Sequence, residues 1–131
     1  MARSVYCTPA NSFASIYLPA GHVGEIKKLG KAGLKVGTVD VSGWGGYQAL
    51  LSPDQAKRNE AVAKATRTIE TGAEAGAKVF FTLMLPEKLE LARAENFKFM
   101  VESYTKLAAV AEKAGAKIVI EGWPGPGALC C

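Results

Sequence analysis

Two carboxylates close apolar runs in this 131-residue sequence: Asp40 ends Lys35-Val-Gly-Thr-Val-Asp40, and Glu121 ends Lys117-Ile-Val-Ile-Glu121. A third run, Lys78-Val-Phe-Phe-Thr-Leu-Met84, leads into Leu85 and Pro86. If the three runs are parallel strands, their ends share the rim where α/β enzymes gather reactive groups. Carboxylates at such a rim can move a proton or ligate a metal. Glu121 is the sharper candidate, because burying a carboxylate at the end of an apolar strand costs several kcal/mol unless a cation compensates it. The alternative stays open: Glu121 caps the loop Gly122-Trp-Pro-Gly-Pro-Gly127 or pairs with a lysine.

Other reactive side chains offer less. The single histidine, His22, precedes a weak helical pattern and suits a surface or capping role better than metal ligation. Cys7 and the adjacent pair Cys130 and Cys131 form neither a disulfide framework nor a metal-ligand spacing, so reduced thiols are expected. Phe80, Phe81 and Met84 read as core.

The elements that must position these groups are announced by a repeated junction: Lys31-Ala-Gly-Leu-Lys-Val36, Glu74-Ala-Gly-Ala-Lys-Val79 and Lys113-Ala-Gly-Ala-Lys-Ile118. Its glycines, Gly33, Gly76 and Gly115, stand 43 and 39 residues apart, each between a helical pattern and an apolar run. A glycine in the left-handed conformation ends a helix in this way and turns the chain into a strand. The runs that follow are near-continuously apolar, as in parallel strands covered on both faces. Ser52-Pro-Asp-Gln55 reads as an N-cap, a first-turn proline and a capping-box glutamine for a helix to about Ala75. Phe97, Met100, Val101, Tyr104, Leu107, Ala108 and Ala111 recur at helical spacing, predicting one buried face. Gly24 to Ala32 suits a shorter helix, Phe13 to Leu18 an earlier strand, and Met1 to Ser12 no definite element.

Composition sets the outer bounds. With 49% hydrophobic, 21% charged and 8% aromatic residues, the chain is neither disordered nor collagen-like nor a coiled coil. No apolar run approaches the roughly 20 residues of a membrane span and no secretory leader is evident, so no membrane partner and a cytoplasmic location are expected. The formal charge of +4, from 16 Lys+Arg against 12 Asp+Glu, raises the question of nucleic acid. The basic residues are scattered, with Lys27, Lys28, Lys31 and Lys35 the densest group and Glu25 beside them. No binding motif accompanies them, so a solvated helix face explains the charge better and nucleic acid is not an expected partner.

Alternating β and α elements leave two architectures, a doubly wound sheet or a (β/α)8 barrel. Gly43-Trp-Gly-Gly46 follows a strand, but the residues after it read as loop as far as Pro53, which weakens a dinucleotide fingerprint. A barrel needs eight units, and at about 40 residues each the chain holds three with a doubtful fourth. The expectation is a single partial barrel domain over residues 1–131, with 1–23 poorly defined and parallel βα repeats over 24–131 forming half of a TIM barrel. Such a half leaves two strand edges unpaired, so the chain needs either a further half or a second copy in a homo-oligomer.

Leu34-Lys-Val-Gly-Thr-Val-Asp40, Leu50-Leu-Ser-Pro-Asp54, Ala77-Lys-Val-Phe-Phe-Thr-Leu-Met-Leu-Pro-Glu87, Glu95-Asn-Phe97 and the stretch Lys117 to Cys131 together resemble the sugar phosphate isomerase/epimerase family, the xylose isomerase-like TIM barrels. The resemblance runs from about Gly24 onward. It implies a divalent metal held by Glu, Asp, His and a second Glu from successive strands, with Glu121 matching the first ligand and the others lying beyond Cys131. Manganese or magnesium suits that ligand set, with cobalt or zinc as alternatives. The substrate implied is a sugar or sugar phosphate, isomerised by proton transfer through a metal-stabilised enediolate. Asp40, Trp44 and Trp123 then become candidate substrate contacts around the barrel mouth, with Tyr47 beside Trp44. Related epimerases carry a glutamate acid/base six residues after the first ligand, where this sequence has Gly127, so the catalytic acid/base is unassigned. Two other readings are a non-catalytic half-barrel oligomerisation module and half of an abasic-site endonuclease-like enzyme.

Overall fold

The computed structural model describes residues 6–7, 13–16 and 23–122. Its elements run β1 (Tyr6–Cys7), β2 (Phe13–Ile16), α1 (Val23–Lys31), β3 (Lys35–Asp40), α2 (Gly43–Leu50), α3 (Gln55–Glu74), β4 (Val79–Leu83), α4 (Arg93–Lys113) and β5 (Lys117–Glu121). The sheet follows chain order, β1 to β5, with β2, β3, β4 and β5 mutually parallel and β1 antiparallel to β2. Parallel neighbours in sequential order are the pattern of a barrel wall, here a partial one.

The repeated junction is a helix stop used three times. Gly33, Gly76 and Gly115 have φ of 76°, 105° and 64°, values that an L side chain resists and glycine accepts. Around each, the glycine N–H and the next residue's N–H donate back to the helix end. Gly33 and Leu34 reach the carbonyls of Gly30 and Leu29, Gly76 and Ala77 those of Ala73 and Gly72, and Gly115 and Ala116 those of Glu112 and Ala111. This is the paired bonding of a Schellman stop, which leaves the chain headed into the next strand.

The helices sit on one face of the sheet. Phe80 points at α3, where a Cβ on Gly72 would lie 2.8 Å from its ring, and the Thr82 hydroxyl lies 3.3 Å from that of Tyr104 on α4. Tyr104 also donates to the Leu83 carbonyl at 2.6 Å. Burial pushes its hydroxyl up to about 12, against a smaller opposing effect of the Thr82 contact. Val39, Ile69, Phe80, Met100 and Leu107 lie in the resulting core. Arg58 clamps α3 to α4: its buried guanidinium donates to the Ser52 carbonyl and to Glu102 at 2.9 Å, and lies 4.7 Å from the Phe99 ring centre.

Several local expectations need correction. The N-cap of α3 is Asp54, whose Oδ1 accepts from the N–H of Ala56 and Lys57; Ser52 instead accepts from the Asp54 N–H. A carboxylate so close to three free N–H groups outcompetes the hydroxyl two residues earlier, and Pro53 stays outside the helix. The glycine-rich segment is not a loop but the helix α2, capped by no side chain and covered by core contacts of Leu50. On α4, Met100, Tyr104, Leu107 and Ala111 are buried as expected, whereas Phe97, Val101 and Ala108 are exposed. Phe80 is fully buried, while Phe81 and Met84 are half-buried. Among the described residues only the β5 edge of the parallel set is unpaired, because β1 pairs with β2. No helix among the described residues is long and apolar enough to cross a membrane.

Candidate functional site

Strand alternation decides which side chains face away from the helices. Since Phe80 and Thr82 point at α3 and α4, Phe81 and Leu83 point to the opposite face, which is the inner wall of the barrel. The register pairs Asp40 with Phe81, Phe81 with Val119, and Leu83 with Glu121. Asp40 and Glu121 therefore belong to that same inner face. Glu121 stands two residues nearer the carboxyl rim and two strands across, about 7 Å along the strands and roughly 10 Å across them.

The two carboxylates differ sharply in surroundings. Asp40 is 4% exposed. Its Oδ1 accepts the Ser42 N–H at 2.9 Å, and its Oδ2 accepts the hydroxyl of Tyr47, itself buried. This ties the end of β3 to the start of α2. The role of Tyr47 was hidden in the sequence, because a helical return over Gly43–Leu50 is needed to bring residue 47 back onto residue 40, and three glycines disguise that helix.

Glu121 is exposed at the end of β5, the last strand of the described sheet, and its backbone carbonyl accepts the Met84 N–H. The cost of burial that singles it out in the sequence does not arise here, because no strand or helix among the described residues covers β5 from beyond. What remains is its place: a carboxylate on the inner face, at the rim, with no ion-pair partner among the described residues. Trp44 lies in α2, whose backbone starts two residues past Val41, on the rim side of β3. Trp123, His22, Cys130 and Cys131 lie outside the described residues.

A tether borders this rim. The Lys57 ammonium, in the first turn of α3, bonds to Glu87 in the β4–α4 connection. That bond, with a further contribution from the Ser52 hydroxyl, holds the Glu87 carboxyl below the usual carboxylate range. Asn96 in the first turn of α4 donates to the Lys88 carbonyl at 2.9 Å and fixes the same connection from the other side.

The sheet order, the inner-face carboxylates and the three helix stops describe a barrel wall with an acidic rim. A family model described as xylose isomerase-like TIM barrel matches residues 19–131. The chain belongs to the xylose isomerase-like TIM-barrel family. Among solved structures, it is similar to a 3-keto-D-glucoside 4-epimerase from E. coli, at 20% identity and a TM-score of 0.61, over 77% of this chain and 41% of that one. It is also similar to a D-tagatose 3-epimerase-like protein, at 17% identity and a TM-score of 0.67, over 82% of this chain and 40% of that one. At these identities the likeness is one of fold. The chain spans about two fifths of the length of both structures. No curated protein matches it.

The family implies a metal, and the donor set can be tested against one. Among the described residues no group of three or more His, Cys, Asp or Glu side chains converges on a point. Asp40 is engaged by Ser42 and Tyr47, which leaves Glu121 as the one exposed inner-face carboxylate described. The described residues of this chain thus fit a single ligand position and do not make a complete cage.

Proposed function

We propose that this chain forms the amino-terminal half of a metal-dependent sugar or sugar phosphate isomerase/epimerase, with Glu121 as one metal ligand. The observation that supports it most is the exposed carboxylate of Glu121 at the rim of β5, on the inner face of a wall whose family consists of xylose isomerase-like barrels. A bound divalent cation, manganese or magnesium with cobalt or zinc as alternatives, would supply Lewis acidity toward neighbouring sugar oxygens while a carbon-bound proton is transferred. In this chain Glu121 would hold the ion. Asp40, kept in place by Tyr47 and Ser42, would fix the β3–α2 corner, with Trp44 and Trp123 flanking the mouth against the sugar ring. The remaining ligands and the acid/base would come from the other half of the barrel, and the site would work in the cytoplasm.

The reading is tested in the source reading frame downstream of Cys131, where it requires an Asp, a His and a Glu at successive strand ends. The joined protein should interconvert ketoses in the presence of manganese, and Glu121→Gln should lower that activity at least a thousandfold. An unrelated downstream sequence, or full activity in the variant, overturns it.

A second reading is favoured by the bare strand itself. Val119, on the inner face, is 41% exposed, and Ile120, on the helix-facing side, is 43% exposed. Neither layer beyond β5 is present among the described residues, and on α4 Phe97 and Val101 are uncovered too. A second copy docking there would make the chain a non-catalytic oligomerising module. Sedimentation separates the cases: a stable dimer of the isolated chain supports the module, and a well-folded monomer contradicts it.

A further inference from the structure

The charges of this chain look dispersed in sequence, but the sheet register collects them at the amino-terminal rim, opposite the face that carries Glu121. Each helix stop delivers a lysine to the start of the next strand: Lys35 to β3, Lys78 just before β4, and Lys117 to β5. Adjacent parallel strands stand about 4.8 Å apart. Lys78 and Lys117 are therefore near neighbours, and the Lys117 N–H bonds to the Lys78 carbonyl, while the register sets Lys35 about 7 Å further back along the strands than Lys78 and roughly 14 Å from Lys117. The last turns of the incoming helices add Lys28 and Lys31 from α1 and Lys113 from α4. Against these six lysines stand two acids in the same last turns, Glu74 and Glu112. The surplus equals the whole formal charge of +4, so the other charges of the sequence cancel.

Two ordinary explanations fall short. Lysines near helix carboxyl ends answer the negative pole of each helix, which is worth about half a charge. Three helix ends offset only about one and a half of the surplus, and α3 ends on Glu74 with no basic residue in its last turn. Nor are the lysines spent on ion pairs. Lys28, Lys31, Lys78, Lys113 and Lys117 are exposed and have no acidic partner among the described residues. A Cβ on Gly115 would lie 4.0 Å from the Lys78 Nζ, which places that ammonium beside the α4–β5 turn.

We infer that the amino-terminal rim is a docking face for the phosphate backbone of nucleic acid, bound without regard to sequence. Positive charges spread over several strand starts and helix ends suit a chain of phosphates better than one isolated anion. All six groups are ammonium point charges, and no guanidinium fork for base edges accompanies them. Leu34 is the one large apolar side chain exposed at this rim among the described residues, too little apolar surface for a helix or loop that settles into a lipid interface.

The test is fluorescence anisotropy of the 131-residue chain with a labelled 20-nucleotide single strand and its duplex, from 20 to 200 mM salt, beside vesicles of mixed neutral and anionic phospholipid. The expected result is micromolar binding at 20 mM salt that weakens steeply as salt rises and is alike for unrelated sequences. K78E/K113E/K117E should lose at least tenfold, and the charge-matched K88E/K98E/K106E less than threefold. Equal losses in the two variants, no binding by the unsubstituted chain at 20 mM salt, or binding to vesicles without binding to oligonucleotide each overturns the inference. Lysine-reactivity footprinting of the unsubstituted chain decides the matter even if a variant fails to fold. Oligonucleotide should protect Lys28, Lys31, Lys78, Lys113 and Lys117 and leave Lys64 and Lys98 reactive; the reverse pattern refutes it.

Discussion

Tyr104 shows how much one polar group can contribute to this wall. Its hydroxyl is buried against the end of β4 and donates to the Leu83 carbonyl. Tyr104→Phe leaves that carbonyl without its donor, and a loss of about 1–2 kcal/mol in urea unfolding is expected. Because burial raises the native-state pKa to about 12 from 10.0, the unfolded chain releases its proton first. Stability should therefore fall as pH rises from about 10, and the Phe variant should lack that part of the decline. Glu87 works in the opposite sense. Its carboxyl is held below the usual carboxylate range by Lys57, so its contribution is present above the unfolded value and disappears as pH falls through the lower native one. With Lys57 about half exposed, the tether is worth a few tenths to about 1 kcal/mol. The gap in urea midpoint between the unsubstituted chain and Glu87→Gln should be present at pH 7 and close on acidification. A gap that is constant from pH 7 to pH 3 would contradict the assigned tether.

At the scale of elements, Gly72 sets helix propensity against packing. Alanine in a helix interior gains about 1 kcal/mol over glycine, yet a Cβ at Gly72 would press to 2.8 Å on the Phe80 ring. Overpacking of that kind costs about 1–3 kcal/mol, so Gly72→Ala should lower the thermal midpoint; a raised midpoint would show that Phe80 yields freely. What the sequence made legible follows the same division between local and tertiary causes. The three stops at Gly33, Gly76 and Gly115 were readable because a positive φ is a local demand that only a small set of residues meets. The strands after them were readable from their apolar runs. Helix α2 was not, since Gly43, Gly45 and Gly46 carry poor helix propensity and the helix rests on tertiary burial of Tyr47 and Leu50. The face of α4 was half legible. Periodicity groups Phe97 and Val101 with Met100 and Tyr104, but it cannot show that the layer beyond β5 is absent from the described chain. Of the site, the positions of Asp40 and Glu121 at strand ends were legible. The capture of Asp40 by Tyr47 was not, because it depends on α2.

For the whole molecule, the decisive feature is an asymmetric wall. Among the described residues, one edge of the parallel set is covered by β1, whereas β5 has no neighbour on its outer edge and exposes apolar side chains on both faces. A barrel grows from such an edge, and the chain accounts for about two fifths of the length of its epimerase neighbours. Replacing Val119 and Ile120 with threonine should cost the isolated chain little, within about 0.5 kcal/mol, since both are already part-exposed. The same pair should weaken association with a complementary half markedly, as read by sedimentation. The most direct check on the central claim is paramagnetic line broadening: manganese titrated into the 15N-labelled 131-residue chain, with each backbone amide followed. The predicted result is a weak site, in the high micromolar range or above, whose broadening begins at Met84 and Glu121 and vanishes in Glu121→Gln. Nanomolar manganese binding by the monomer, or broadening centred away from the carboxyl ends of β4 and β5, would contradict an incomplete metal site at Glu121.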